Sequence, residues 1–441
     1  MGSDIRNVSV YLLQERGVLL VEDGNHGEYR PLKHEFADFG TAFIRAADLD
    51  DGEIKFEVAE RINQVATSRI RKGIGKPGDV LISHKGTLGK VGFAKDDAPP
   101  FVCSPQTTFW RVLNEEEMDR HYLFAYMRSP QFKRMFATYG GETDMAPYVS
   151  LTSQRSLELC LPSIERQRAI GTILRSLDDK IELNRKTNET LEAMAKALFQ
   201  SWFVDFDPVR AKAEGRPTGL PDAISDLFPD SFEESELGEI PRGWKIMALD
   251  EIAHFLNGLA LQKFPPEYGG STLPVIKIAQ LKKGNALGAD RCSASVPEDY
   301  VIRDGDVLFS WSGSLAVDIW CGGDGALNQH LFKVTSKTYD KWFFYQWVKH
   351  HLPDFQEIAQ GKATTMGHIQ RHHLSEAKTL IPARSLLSAM DSVFTPLLER
   401  SFGLSRQSRE LSCIRDTLLP KLISGELRIP DAERLVSDLP Q

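Results

Sequence analysis

The stretch Pro77-Gly-Asp-Val-Leu-Ile-Ser-His-Lys-Gly-Thr-Leu88 returns 227 positions later as Asp304-Gly-Asp-Val-Leu-Phe-Ser-Trp-Ser-Gly-Ser-Leu315. Both copies read as a tight Gly-Asp turn, a short buried strand and a second turn containing Gly. From about residue 122 the offset settles at 220 without gaps: Tyr122-Leu-Phe124 matches Trp342-Phe-Phe344, Gly141 matches Gly361, and Leu161-Pro162 matches Ile381-Pro382. Earlier, Phe43-Ile-Arg45 matches Val275-Ile-Lys277. A period this long exceeds the roughly 20–50 residues of a solenoid repeat, so the chain must be two copies of a whole domain with its connection. Each copy runs through a β-rich region, an aromatic helix, a loop, a short strand, a proline and a long helix.

The long helices carry a heptad seam, the spacing that keeps one stripe against a partner helix. In the first copy the seam is Ile170, Leu174, Leu177, Ile181, Asn184, Asn188, Leu191, Ala195, Leu198 and Trp202. In the second it is Met390, Phe394, Leu397, Ser401, Leu404, Ser408, Leu411, Arg415 and Leu418. The polar positions Asn184, Asn188, Ser401, Ser408 and Arg415 weaken the seam; the favoured expectation is that they simply face water, the alternative that they fix register at a cost in stability. Ser163 after Pro162 suits an N-cap, and Glu165 suits the positive end of the helix dipole. About 40 residues at roughly 1.5 Å each make a rod of about 60 Å. The second helix should start after Pro382 and stop near Pro420, with Gly425 beyond.

The organisation expected is a β-rich domain over 1–162, a long helix over 163–205, an acidic linker over 206–240, a second β-rich domain over 241–382, a second long helix over 383–425, and a tail over 426–441. The fold class is α+β: two similar β-rich domains joined by two long antiparallel, coiled-coil-like helices with pseudo-two-fold symmetry. The linker, rich in Pro and acid, reads as surface chain with one short helical turn.

The net charge of −8 argues at first against nucleic acid, but its distribution changes that. Glu214–Ile240 holds eight acids against Arg216, while Arg61–Lys95 holds eight bases against Asp79. Screening confines each charge's field to about 8–10 Å, so a local basic face can hold phosphate on an acidic protein. No apolar run approaches the roughly 18–20 residues of a membrane span. Met1–Val10 has no secretory apolar core, and the five scattered cysteines form no CxxC pair, so a reduced, cytoplasmic compartment is expected.

Catalytic signatures are lacking. Gly73-Ile-Gly-Lys-Pro-Gly78 fits a dinucleotide pattern but leads into a strand, where pyrophosphate binding needs a helix N-terminus. Gly86–Lys90 and Gly361-Lys362 leave the phosphate-loop pattern incomplete. Phe264-Pro-Pro-Glu267 lacks the polar first and aromatic last residues of an amine methyltransferase, and Glu233–Glu236 lacks the lysine a nuclease would need. His368 and His372 stand four apart with Arg371 beside them and no third ligand at a clear spacing, so no metal is expected.

The duplicated domain, Leu161-Pro-Ser-Ile-Glu-Arg-Gln-Arg168 leading into a long helix, the Ile240-Pro-Arg-Gly-Trp244 opening, and Leu418-Leu-Pro-Lys-Leu-Ile-Ser-Gly-Glu-Leu427 together resemble type I restriction–modification specificity subunits. The resemblance covers essentially the whole chain. It implies two target-recognition domains, each reading half of a split double-stranded DNA site, with the helix pair as a ruler between them. It implies two modification (methyltransferase) subunits and restriction (translocase and nuclease) subunits as partners, and no membrane. S-adenosylmethionine, ATP and Mg belong to those partners; no cofactor and no catalytic residue are expected on this chain. A protein–protein scaffold that never reads DNA, and a fused methyltransferase or nuclease, are the competing readings.

Residues shared by the copies, Gly78, Asp79 and Gly86 with Gly305, Asp306 and Gly313, should maintain the fold, and base discrimination should sit where the copies differ. Phosphate contacts set affinity and register; base-edge contacts set sequence. The phosphate candidates are Arg69, Arg71, Lys72, Lys85 and Lys90 in the first domain and Lys277, Lys282, Lys283, Lys362 and Arg371 in the second. The base-edge candidates are His84, Thr87, Trp311 and Gln329.

Overall fold

The computed structural model describes residues 5–25, 27–50, 52–140, 147–361 and 367–438. The chain divides into two compact units, one made of 1–180 with 411–441 and the other of 181–410. Each unit therefore owns part of each long helix. Among the described residues no helix is long and apolar enough to cross a membrane.

Each unit is built on two four-stranded sheets. In the first unit one sheet has the order Leu19–Asp23, Thr107–Val112, Val80–Ser83, Val91–Phe93, and the other Phe101–Cys103, Thr41–Ile44, Arg61–Ile62, Phe36–Ala37. The second unit repeats the first arrangement as His254–Asn257, Leu331–Thr335, Val307–Ser310, Ala316–Ile319. Its other sheet is Arg291–Ser293, Thr272–Ile276, Gly325–Leu327, Val301–Ile302. The matched strands Thr41–Ile44 and Thr272–Ile276 each pair parallel on one side and antiparallel on the other. The repeat thus extends to the direction of these ladders, while the remaining strand differs: Phe36–Ala37 pairs with Arg61–Ile62, and Val301–Ile302 pairs with Gly325–Leu327.

The conserved Gly-Asp turn has the same construction twice. Gly78 and Gly305 sit at φ of 88° and 93°, where a side chain is strained. The next residue's carboxylate folds back on the turn: Asp79 accepts from the Lys76 amide at 2.7 Å and Asp306 from the Arg303 amide at 2.8 Å. Each then meets a cation on a neighbouring strand, Arg111 at 2.7 Å and Lys333 at 2.9 Å. Burial pushes the Asp79 carboxyl above its ordinary range, against the pull of Arg111. The downstream helices open with Tyr122 and Trp342, both 1% exposed, as the repeat requires.

The first long helix spans Ile164–Phe199 and passes into a wider π-helical turn over Gln200–Val204. The second spans Arg384–Ser424. Pro420 does not end it. The lost hydrogen bond costs about 3 kcal/mol, but Leu418, Leu419, Leu422 and Ile423 are all buried around it, and each such side chain is worth roughly 1.5–3 kcal/mol. The helices run antiparallel within each unit. In the first, Arg166 donates to the Leu422 carbonyl at 2.8 Å and Arg415 to Asp178 at 2.7 Å. In the second, Asn184 meets Gln407 at 2.8 Å and Asn188 meets Ser405 at 2.9 Å. Ile170, Leu174, Leu177, Met390, Phe394, Leu404, Leu411 and Leu418 are buried along this seam, and Ile181, Leu191, Leu198 and Leu397 half-buried.

For Asn184, Asn188 and Arg415 these contacts correct the expectation of water, while Ser401 and Ser408 are half-buried. Asn184 and Arg415 are buried, and both, with Asn188, bond the opposite helix. A heptad position aims at the partner whatever its polarity, and a polar partner there satisfies it.

The acidic linker is also corrected. It folds as a helix over Asp207–Ala213, a turn of helix over Asp222–Ser225, and a hairpin of Phe232–Ser235 with Gly238–Pro241. Phe206, Val209 and Phe228 are buried in the core of the second unit with Trp202, Phe203 and Trp244. Among the described residues Phe206 alone, apart from glycines, has a positive φ, 59°. Its ring packs edge-on against Trp244 at 5.7 Å, and that burial offsets a backbone cost of roughly 1–2 kcal/mol.

Candidate nucleic-acid interface

The turn after each matched strand is stitched to a distant segment in the same way. In the first unit the Gly86 amide donates to the Pro147 carbonyl and the Val149 amide to the His84 carbonyl, both at 2.9 Å. In the second, Gly313 donates to Gly367 at 2.7 Å and Ile369 to Trp311 at 3.0 Å. Lys85 bridges Tyr148 as Ser312 bridges His368. The backbone frame is the same while the side chains it presents differ.

At the frame's centre stands His84 in one unit and Trp311 in the other. The neighbouring sheet end supplies Asp23, opposite Thr108, and Asn257, opposite Phe332, the corresponding register positions. His84 Nε2 lies 3.7 Å from Asp23 Oδ1, with Nδ1 3.1 Å from the Val149 carbonyl and the ring 5.4 Å from that of Tyr148. Trp311 Nε1 donates to Asn257 Oδ1 at 2.9 Å, with its ring 6.0 Å from His330 and 6.3 Å from His368. Ser312 and Gln329 flank His330, Oγ to Nδ1 at 3.0 Å and Nε2 to Nε2 at 3.3 Å. One frame thus carries an acid, imidazole and phenol set, the other an amide, indole and imidazole set.

The base-edge candidates fare unequally. Thr87 is exposed beside the frame, and Trp311 and Gln329 are half-buried within it. His84 is corrected: it is fully buried. Its backbone is bonded on both sides, N–H to Gln106 and C=O from Val149, so the side chain enters the layer instead of leaving it.

Among the phosphate candidates Arg71, Lys72, Lys85, Lys283 and Arg371 are exposed and Lys90 is half-buried. Lys277 is exposed but paired with Asp290 at 2.5 Å, and Lys282 bonds the Ser314 hydroxyl, which ties its helix to the second frame. Lys362 lies outside the described residues. Arg69 is corrected: both terminal nitrogens grip Glu35 at 2.6 Å, and one also donates to the Arg30 carbonyl at 3.1 Å. Its charge is spent inside the fold. The Arg69 hydrogen bond, helped by the Leu32 amide, holds the Glu35 carboxyl down at about 2 from an ordinary 4.5. Stability from this group is complete above about 4.5 and is lost as pH falls towards about 2. Melting temperatures of Glu35→Gln and the parent should therefore differ most at neutral pH and converge near pH 2; a gap independent of pH contradicts this.

His368 and His372 do not share a helix, because the helix starts at Arg371 and excludes His368. His372, His373 and Glu376 instead bring ligand atoms within 4.8 Å of one another. His373 Nδ1 accepts from the Gln370 amide at 3.0 Å.

A sequence model described as the type I restriction modification DNA specificity domain matches residues 26–193 and again 241–385. The chain belongs to this specificity family. The type I restriction enzyme MjaIX specificity subunit of Methanocaldococcus jannaschii is 25% identical over 383 residues, covering 84% of this chain and 82% of that protein. The HindI specificity subunit of Haemophilus influenzae is 25% identical over 414 residues, covering 80% and 87%. The crystal structure of a type I restriction–modification S subunit from M. genitalium has a TM-score of 0.54 at 15% identity over 96% of each chain, so the specificity fold is shared.

The frame residues missed in the sequence, Asp23, Tyr148, Asn257, His330 and His368, lie on strands or segments far from the repeated turn. Carrying the repeat through the strand register would have found the Asp23 and Asn257 pair.

Proposed function

We propose that this chain is the DNA-reading subunit of a type I restriction–modification complex, recognising an asymmetric, bipartite duplex site with one half per unit. The observation that carries the reading is the twice-built frame with different chemistry, Asp23 and His84 against Asn257 and Trp311. A chain that bound one invariant partner at both frames would gain nothing from that difference. Sequence is read by donors and acceptors at base edges; on this reading the buried His84 and the half-buried Trp311 shape two unlike frames, and the exposed residues around each read unlike half-sites.

The chain itself performs no catalysis on this reading. Two modification subunits, one for each copy of the repeat, supply methyl transfer from S-adenosylmethionine. Restriction subunits supply ATP- and Mg-dependent chemistry. The complex works on DNA in the cytoplasm.

The deciding experiment is genome-wide methylation mapping of cells making this chain with its methyltransferase partner, against cells lacking the chain. A new split, asymmetric adenine motif that depends on the chain is expected. With an active methyltransferase verified, unchanged methylation overturns the reading and leaves a scaffold without DNA readout.

A further inference from the structure

The most exposed aromatic of each unit sits on the same loop. Phe39 is 81% exposed and Tyr268 is fully so, at 110%. The equivalence follows from register. Phe43 lies opposite Val102 in a parallel ladder, and Val275 lies opposite Ala326 in the matching one. One residue earlier, Ala42 faces Arg61 in the antiparallel ladder and Pro274 faces Arg291. Arg61 and Arg291 are therefore counterparts, and so are Gly40 and Thr272. Each arginine braces the counterpart carbonyl: Arg61 Nη1 donates to Gly40 O at 3.2 Å, and Arg291 Nη2 to Thr272 O at 2.8 Å, with Nε on its hydroxyl at 2.9 Å.

The rest of the loop is alike in kind but not in position: the register sets Phe39 against Ser271, and the strand Phe36–Ala37 interrupts the first loop alone. Phe39 directly precedes the braced carbonyl, and Tyr268 precedes it by four residues on a longer loop. A glycine at positive φ follows each ring, Gly40 at 131° and Gly269 at 73°. An exposed lysine on a short 3-10 turn precedes each, Lys33 in Lys33–Glu35 and Lys263 in Leu261–Lys263. Leaving such a ring in water forgoes roughly 1.5–3 kcal/mol of burial, and the fold forgoes it twice, on loops of unlike sequence.

We propose that Phe39 and Tyr268 are wedges, one per unit, that insert against a base step of the half-site read by their own unit, with Lys33 or Lys263 on a neighbouring phosphate. The inference rests on the DNA-reading function proposed above. An exposed ring with a lysine earlier on its loop suits what every duplex step offers, a base face beside a phosphate, and the loops that carry the two rings differ in length and sequence, as two unlike half-sites require. Apolar side chains that enter a base step unstack it and bend the duplex. Pyrimidine–purine steps yield most easily, so each wedge adds selectivity at a step with no hydrogen-bond readout.

The test uses the full chain with its methyltransferase subunits on a duplex carrying the mapped motif, with 2-aminopurine placed at successive positions other than the methylated adenines, whose flipping by the methyltransferase raises the signal by itself. The expected result is a fluorescence rise at one step in each half-site. Phe39→Ala abolishes the rise in one half only and Tyr268→Ala in the other, each weakening binding roughly tenfold, as loss of one aromatic–base stack does. Bound wild-type complex with no rise, or variants with undiminished rise and affinity, overturns the wedges alone. Variants that lose methyltransferase in size-exclusion chromatography instead overturn them in favour of a protein contact. A wild-type complex that binds no DNA overturns the reading beneath them as well.

Discussion

Trp342→Ala lowers the stability of the second unit by about 4 kcal/mol, the usual cost of emptying a large aromatic site in a core. Trp342 is 1% exposed and stacks face to face on Phe394, 4.5 Å between centroids at 10°. Phe343 and Phe203 close the site at 5.4 and 5.9 Å. These rings come from the aromatic helix, from the π-helical turn and from the second long helix, so the cavity cannot collapse by moving one element. Trp342 Nε1 is buried without a hydrogen-bond partner among the described residues. Trp342→Phe, which removes that donor and keeps a ring, therefore costs far less. Denaturant unfolding followed by hydrogen exchange over 181–410 separates the two; equal losses for both variants would show that ring packing is not what the site supplies.

Asp178→Ala costs the first unit about 3 kcal/mol, for an electrostatic reason. Asp178 accepts from Arg128 at 2.8 Å and from Arg415 at 2.7 Å, and those two side chains are only 10% and 8% exposed. Removing the shared acid leaves two guanidinium groups close together and largely out of water, the situation in which breaking a buried pair is expensive. Asp416 holds the Arg415 Nε at 2.9 Å and offsets part of the loss. Adding Arg415→Met to Asp178→Ala removes one of the two neighbouring like charges and should recover much of the stability. A single substitution costing under about 1 kcal/mol, the worth of an ordinary surface pair, contradicts the account.

What the sequence disclosed follows from which constraints are local. The Gly-Asp turn needs a left-handed glycine followed by a carboxylate, and both show in two adjacent letters at Gly78-Asp79 and Gly305-Asp306. The helix seam is local too, because its spacing survives substitution. Depth is not local: His84 and Lys85 are neighbours on one turn, yet one is buried and the other exposed. Nor is the fate of a polar seam residue, since Asn184 reads the same whether it meets water or Gln407. In Glu214–Ile240 the charge hid the fold. Acids on the outward face masked Phe228 and Ile240, which anchor the segment with Phe206, Val209 and the half-buried Leu220, Ile224, Leu227 and Phe232. Arg69 misled for the same reason, because its acid, Glu35, lies 34 residues earlier.

The division of the chain into 181–410 and a remainder drawn from both ends sets an order on its manufacture. A ribosome that has reached Glu410 has delivered every residue of the second unit, but the first still lacks Leu411, Leu418 and Leu422, which lie buried in it. Domains ordinarily fold from the N-terminus as they emerge. Here the part begun first is finished last, and its half of the first helix waits with an apolar stripe uncovered. A chain truncated after Glu410 and freed from the ribosome should resist protease across 181–410 while remaining cleavable near Ile170–Leu177, and the chain that also carries 411–441 should close that window.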